Sequence, residues 1–108
     1  MSYALSDKDP QIQVVIRALQ DRYGISSFAI TDHWVSEYDA IGISRVDNRK
    51  VLAYIAAYDA PASFFVSLEL PPPKGSEMLY TDAGSHDTED LESVLQIIGE
   101  HLGLKATV

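Results

Sequence analysis

Three observations predict a two-layer α+β sandwich. An amphipathic helix stands near each end of the chain, β-rich segments follow one another between them, and short turns join those segments. The 108 residues fit one domain, 1–108, and a hydrophobic share of 46% gives that domain a core. Consecutive strands on short turns make an antiparallel meander. Two terminal helices can then cover one face of the sheet. The expected order is helix, four or five strands, helix.

The first helix is read over Pro10 to Tyr23, where Ile12, Val15, Ile16, Leu19 and Tyr23 recur on one face. Asp9 caps it, Pro10 fits its first turn, and Gly24 stops it. Arg17 and Arg22 come late, where the helix dipole favours cations. The second helix is read over Thr88 to Leu102, with Leu91, Val94, Leu95, Ile98 and Leu102 as its buried face. Asp87 or Thr88 is the expected cap, and Gly103 with Leu104 the expected stop.

Between the helices, Ile25 to Val35 is β-branched and aromatic, with Phe28, Ile30 and Trp34 on one parity. Asp39 to Val46 is the second strand, and Asp47-Asn48-Arg49 turns the chain into a third over Lys50 to Tyr58. Asp59-Ala60-Pro61 turns it again. The fourth strand, Ala62 to Leu70, alternates cleanly: Ala62, Phe64, Val66, Leu68 and Leu70 against Ser63, Phe65, Ser67 and Glu69. Pro71-Pro72-Pro73 then excludes a central strand, and Met78 to Thr81 offers a short fifth one.

Parity predicts what each sheet face shows. Val51, Ala53, Ile55 and Ala57 suit the ground beneath helices. The other face then presents Tyr54, Tyr58 and Phe65 among serines and the Glu69 carboxylate. Aromatic rings with a polar fringe are typical of binding surfaces. The competing expectation is that the rings pack against the proline loop or a second copy of the chain, as in a homodimer.

The residues needed for catalysis are not assembled in the sequence. With no cysteine there is no disulfide, thiolate nucleophile or Cys-based zinc site. Asp32 and His33 are neighbours in a strand and point to opposite faces, so they make no Asp–His pair. His86 with Asp82, Asp87, Glu89 and Asp90 is an acidic cluster whose spacing matches no established metal site, and helix capping is the preferred reading. Ala83-Gly84-Ser85 before a helix suits an anion, but the surrounding carboxylates oppose one. His101 is expected to be solvated or paired with the helix dipole. The glycines form no phosphate-binding loop. No enzyme, metal or cofactor is expected.

Charge points to a partner. Sixteen Asp and Glu against eight Lys and Arg give a formal charge of −8, which repels phosphate backbones and anionic membranes and steers encounters toward basic proteins. The N-terminal residues lack a signal-peptide pattern and no apolar run reaches membrane-spanning length, so a cytoplasmic protein is expected. The expected contact set is Trp34, Tyr38, Tyr54, Tyr58, Phe65 and Glu69, with Asp39 and Asp59 as rim charges.

In overall format the chain resembles bacterial immunity proteins of polymorphic-toxin and contact-dependent inhibition systems. The resemblance rests on the opening helix, the strand Val51-Leu52-Ala53-Tyr54-Ile55, the strand Phe65-Val66-Ser67-Leu68-Glu69 and the closing helix ending in His101-Leu102. It implies a small acidic binding module that neutralises a basic toxin domain, commonly a nuclease, and it carries over no individual residue roles. Two alternatives stand beside it. Secretion chaperones share the size and acidity but place a helix between strands, which this pattern lacks. A small ligand-binding domain or enzyme would need a carboxylate-lined pocket, best placed between the aromatic face and the Pro71–Met78 loop.

Overall fold

The structure, a computed structural model, describes residues 8–32, 37–59 and 62–106. It consists of α1 (Pro10–Tyr23), β1 (Phe28–Ile30), β2 (Ala40–Arg45), β3 (Leu52–Asp59), β4 (Ala62–Leu70), β5 (Thr81–Thr88) and α2 (Leu91–Leu102). The five strands form one open antiparallel sheet in the order β1-β2-β3-β4-β5, the α+β meander that the sequence predicts.

Both helices lie on the same face of the sheet. Ile12, Val15, Ile16 and Leu19 of α1 and Val94, Leu95, Ile98 and Leu102 of α2 share one core with Ile41, Ile43, Ala53, Ile55, Ala57, Val66 and Leu68. The register aligns these side chains across strands: Ile41 faces Ile55, Ile55 faces Val66, and Ala53 faces Leu68. Period 3.6 in the helices and period 2 in the strands thus meet in one apolar layer.

The caps of α1 follow the sequence. Asp9 accepts from the Gln11 amide at 2.8 Å, and the Gly24 amide donates to Gln20 O at 2.9 Å. α2 starts three residues later than expected. Its cap is Asp90, which accepts from the Glu92 amide, while Asp87 and Thr88 belong to β5. Gly103 ends α2 in the left-handed region (φ 68°), where a glycine carries no Cβ penalty.

The fifth strand also differs from expectation. It runs over Thr81–Thr88, and Met78, Leu79 and Tyr80 precede it as exposed loop residues. Its polar sequence gives no alternation to read, and it is held by backbone pairing to β4: Phe65 faces Asp87 and Glu69 faces Asp82. An extra residue at Gly84 (φ 110°) bulges this edge strand between the pairs Ser67–Ser85 and Glu69–Asp82. Ala83-Gly84-Ser85 is therefore part of a strand and not an anion-binding turn before a helix.

The helix pair has its own keying. Gly99 is buried in the middle of α2, and a Cβ there would run into Tyr23 Oη and stand 2.5 Å from Cζ. Tyr23 fills that notch and donates its hydroxyl to Leu95 O at 3.0 Å. In an unconstrained helix, Gly→Ala gains about 1 kcal/mol. Here the ring must leave and its hydrogen bond is lost, so Gly99→Ala is expected to destabilise the protein by about 1 kcal/mol. In a Tyr23→Ala background the same change is expected to stabilise it. Urea midpoints of the four proteins check this, and a Gly99→Ala effect of the same sign in both backgrounds would refute the keying.

Candidate functional site

The sheet face opposite the helices carries the candidate site. Its floor is small and aliphatic: Ala40, Gly42, Ser44, Leu52 and Ala56 are buried. Cross-strand pairs set the rings on that floor. Tyr54 stands between Gly42 and Ser67, and Phe65 between Ala56 and Asp87. The small residues beside Tyr54 leave room for its ring. Tyr54 and Phe65 meet edge to face with centroids 6.3 Å apart and an interplanar angle of 68°. Both are half-buried, and Tyr58 is 48% exposed. No described helix covers these rings.

Carboxylates fringe the rings on the β2 side. The Tyr54 hydroxyl donates to Glu37 Oε2 at 3.3 Å. Burial pushes the Tyr54 phenol up to about 12, and the nearby charges of Glu37, Tyr58 and Asp39 act in the same direction. Tyr54 thus remains a neutral O–H donor throughout the neutral range. On the opposite side, the register sets Asp87 next to Phe65 and Asp82 next to Glu69 on the same face.

The segment bearing Glu37, Tyr38 and Asp39 is anchored from below by Lys8. Lys8 Nζ donates to Glu37 O and to Ala40 O, each at 2.6 Å, and lies 3.0 Å from Asp32 Oδ2. Both charged side chains are 2% exposed. The Asp9 amide adds a bond to Tyr38 O at 2.9 Å. A buried lysine of this kind ties the entrance of α1 to the start of β2. No residue spacing signals it, because Asp32, Glu37 and Ala40 lie 24 to 32 positions away.

The predicted contact residues separate into groups. Tyr54, Tyr58 and Phe65 gather on one face, with Asp39 at its edge. Tyr38 is 57% exposed in the turn before β2. Glu69 shares the face but pairs with Leu52, toward the far end of the sheet from Tyr58. Asp59 closes β3 opposite Ala62, and its side chain is outside the described residues. Trp34 and His33 also lie outside the described residues. Glu37, outside the expected contact set, accepts from the Tyr54 hydroxyl.

Two chemical expectations change. His86 lies on exposed β5 and not in a helix cap, and among the described residues no three His, Asp or Glu side chains gather as a metal set. His101 is half-buried and neither solvated nor simply paired with the dipole. Its Nε2 is 2.9 Å from Glu69 O and 3.1 Å from Leu52 O, so Nε2 must carry a proton shared between two carbonyls where the β3–β4 ladder ends. The described concavities also avoid the proline loop. One is lined by Ser27, Arg45, Asp47 and Leu102, and a shallow one by Ser63, Asp87, Thr88 and Glu89. No described helix is long and apolar enough to cross a membrane.

The face thus joins exposed aromatic area to a carboxylate border. The rings supply apolar area with little side-chain entropy to lose, and the carboxylates beside them make the border acidic. Comparison of the chain with family models, curated proteins and solved structures gives no match.

Proposed function

We infer that this protein is a binding module that captures a basic protein on its open sheet face, acting as an immunity protein that neutralises a toxin domain. One observation carries this reading: Tyr54, Tyr58 and Phe65 stand together on a sheet face that no described helix covers, with Glu37, Asp39 and Asp87 around them. Aromatic anchors ringed by acids suit an Arg- and Lys-rich partner, since rings bind guanidinium and ammonium groups on their faces and acids pair with them at the rim. The net charge of −8 speeds encounter with such a partner and discourages nucleic acid and anionic membrane. The cytoplasm is where such a module would meet its toxin.

The test is capture from native-source lysate at low and moderate salt, followed by purification of the captured protein and titration. One stoichiometric basic protein is expected to survive moderate salt and to lose its toxicity in the complex. Tyr58→Ala removes a half-exposed ring and is expected to keep the fold while weakening the complex at least tenfold, about 1.4 kcal/mol or more. Normal binding by both Tyr58→Ala and Phe65→Ala would place the interface elsewhere. Capture of no basic protein at moderate salt would refute the reading.

A further inference from the structure

The acidity of the chain is concentrated. Residues 75 to 104 contain seven Asp and Glu and no Lys or Arg, so this stretch alone carries −7 of the formal −8. Within this stretch lie β5, at one margin of the sheet, and α2, which packs over β3, β4 and β5. Glu92 is engaged by Arg22, but none of the described ion pairs involves Asp82, Asp87, Glu89 or Asp90.

β5 is also the long free margin of the sheet. It is last in the strand order, and among the described residues no strand pairs with its outer side. β1, at the other margin, has three residues, whereas β5 has eight, about 26 Å of extended backbone. None of the eight is buried, and Asp82, Gly84, Ser85, His86 and Asp87 are exposed. An edge like this is a template for another chain.

The edge is guarded selectively. Antiparallel pairing of two copies about the strand centre would set Asp82 of each opposite Asp87 of the other, and like charges directly opposed destabilise a ladder. The bulge at Gly84, whose amide donates to Asp82 Oδ1 at 2.9 Å, interrupts a flat neutral strand. The carboxylates do not deter a strand of opposite charge. Because Asp82 and Asp87 lie on the face of Glu69 and Phe65, alternate side chains of an added strand would point to that same face. The concavity lined by Ser63, Asp87, Thr88 and Glu89 opens where edge and face meet.

We propose that the free edge of β5 takes up an extended segment of the basic partner as a sixth strand, with Arg or Lys at alternate positions meeting Asp82, Asp87 and Glu89. This rests on the reading of the open face and gives it a second contact: backbone pairing at the edge and ring contacts beside it. Main-chain bonds hold the segment, and alternate cations set its register.

The probe is a nine-residue peptide alternating Arg and Thr, added to the full-length protein at moderate salt. Three controls accompany it: the peptide with alternate backbone amides N-methylated, the peptide with Glu for Arg, and the protein variant Asp82→Lys/Asp87→Lys. The expected results are at least tenfold slower hydrogen exchange at the outward amides of β5, and at least tenfold weaker binding in each control. No binding, binding without protection of β5, or equal binding of the N-methylated peptide would overturn the proposal, the last two by showing attraction without strand addition. The captured basic protein separates the two readings. Loss of binding on Tyr58→Ala with retention on Asp82→Lys/Asp87→Lys keeps the face and removes the edge, and the opposite pattern keeps the edge and removes the face.

Discussion

Lys8→Met is expected to cost about 3–5 kcal/mol of folding stability, the largest loss foreseen for a single side chain here. The ammonium is buried with Asp32 and with the carbonyls of Glu37 and Ala40. Removing it takes away the ammonium that lies 3.0 Å from the buried Asp32 carboxylate, and it deprives two carbonyls of a donor. A surface ion pair would cost under about 1 kcal/mol, so the magnitude itself tests burial. The double variant Lys8→Met/Asp32→Leu removes the buried carboxylate as well and is expected to recover part of the loss. Recovery should be incomplete, because each carbonyl left without a donor costs about 1–3 kcal/mol. Urea unfolding of the three proteins measures this. A double variant no more stable than Lys8→Met would show that the charge is not what matters. The clamp also holds Glu37 and Asp39 beside Tyr54, so Lys8→Met should weaken partner capture even where the protein remains folded.

That clamp marks where the sequence stops being legible. α1 can be read in full because its apolar spacing, its Asp9 cap and its Gly24 stop all agree. β4 is bounded as expected, Ala62–Leu70, because alternation and the prolines after it leave little choice. β5 escapes reading for the opposite reason. Thr81–Thr88 is a largely exposed edge whose one apolar side chain, Ala83, is partly buried against the core, so no apolar alternation is imposed on it, and its pairing with β4 makes it a strand. The apolar run Met78-Leu79-Tyr80 suggests a strand there, yet all three side chains are exposed. The start of α2 shifts for the same cause: Thr88 is claimed by the ladder, which leaves the cap to Asp90.

The site divides in the same way. Tyr54, Tyr58 and Phe65 share a face by parity alone, which one strand and its hairpin partner determine. The Glu37 contact and the Lys8 anchor depend on how distant segments dock, and residue spacing carries no record of that. The concentration of charge in residues 75–104 is visible in the sequence. Its meaning appears only once β5 is known to be the sheet margin.

Ile55→Ala is expected to be the costliest core truncation, and it separates folding from binding on a single strand. Ile55 is fully buried on the helix side of β3, between Ile41 and Val66. Both helices rest on that layer, so the site has little freedom to collapse around the missing atoms. Truncation should cost about 2–5 kcal/mol, the transfer free energy plus the cavity. Tyr58, three positions on, points to the other face and is half-exposed, so Tyr58→Ala should cost under about 1 kcal/mol. Their effects on the partner should be reversed. The Ile55→Ala molecules that remain folded keep the rings of the open face and should bind with near-normal affinity. Tyr58→Ala should fold normally and bind poorly. Chemical denaturation and titration of the captured partner, done on both variants, decide the matter. If Ile55→Ala alone weakened binding per folded molecule, the two faces would be mechanically coupled, and the open face could not be treated as a surface independent of the core beneath it.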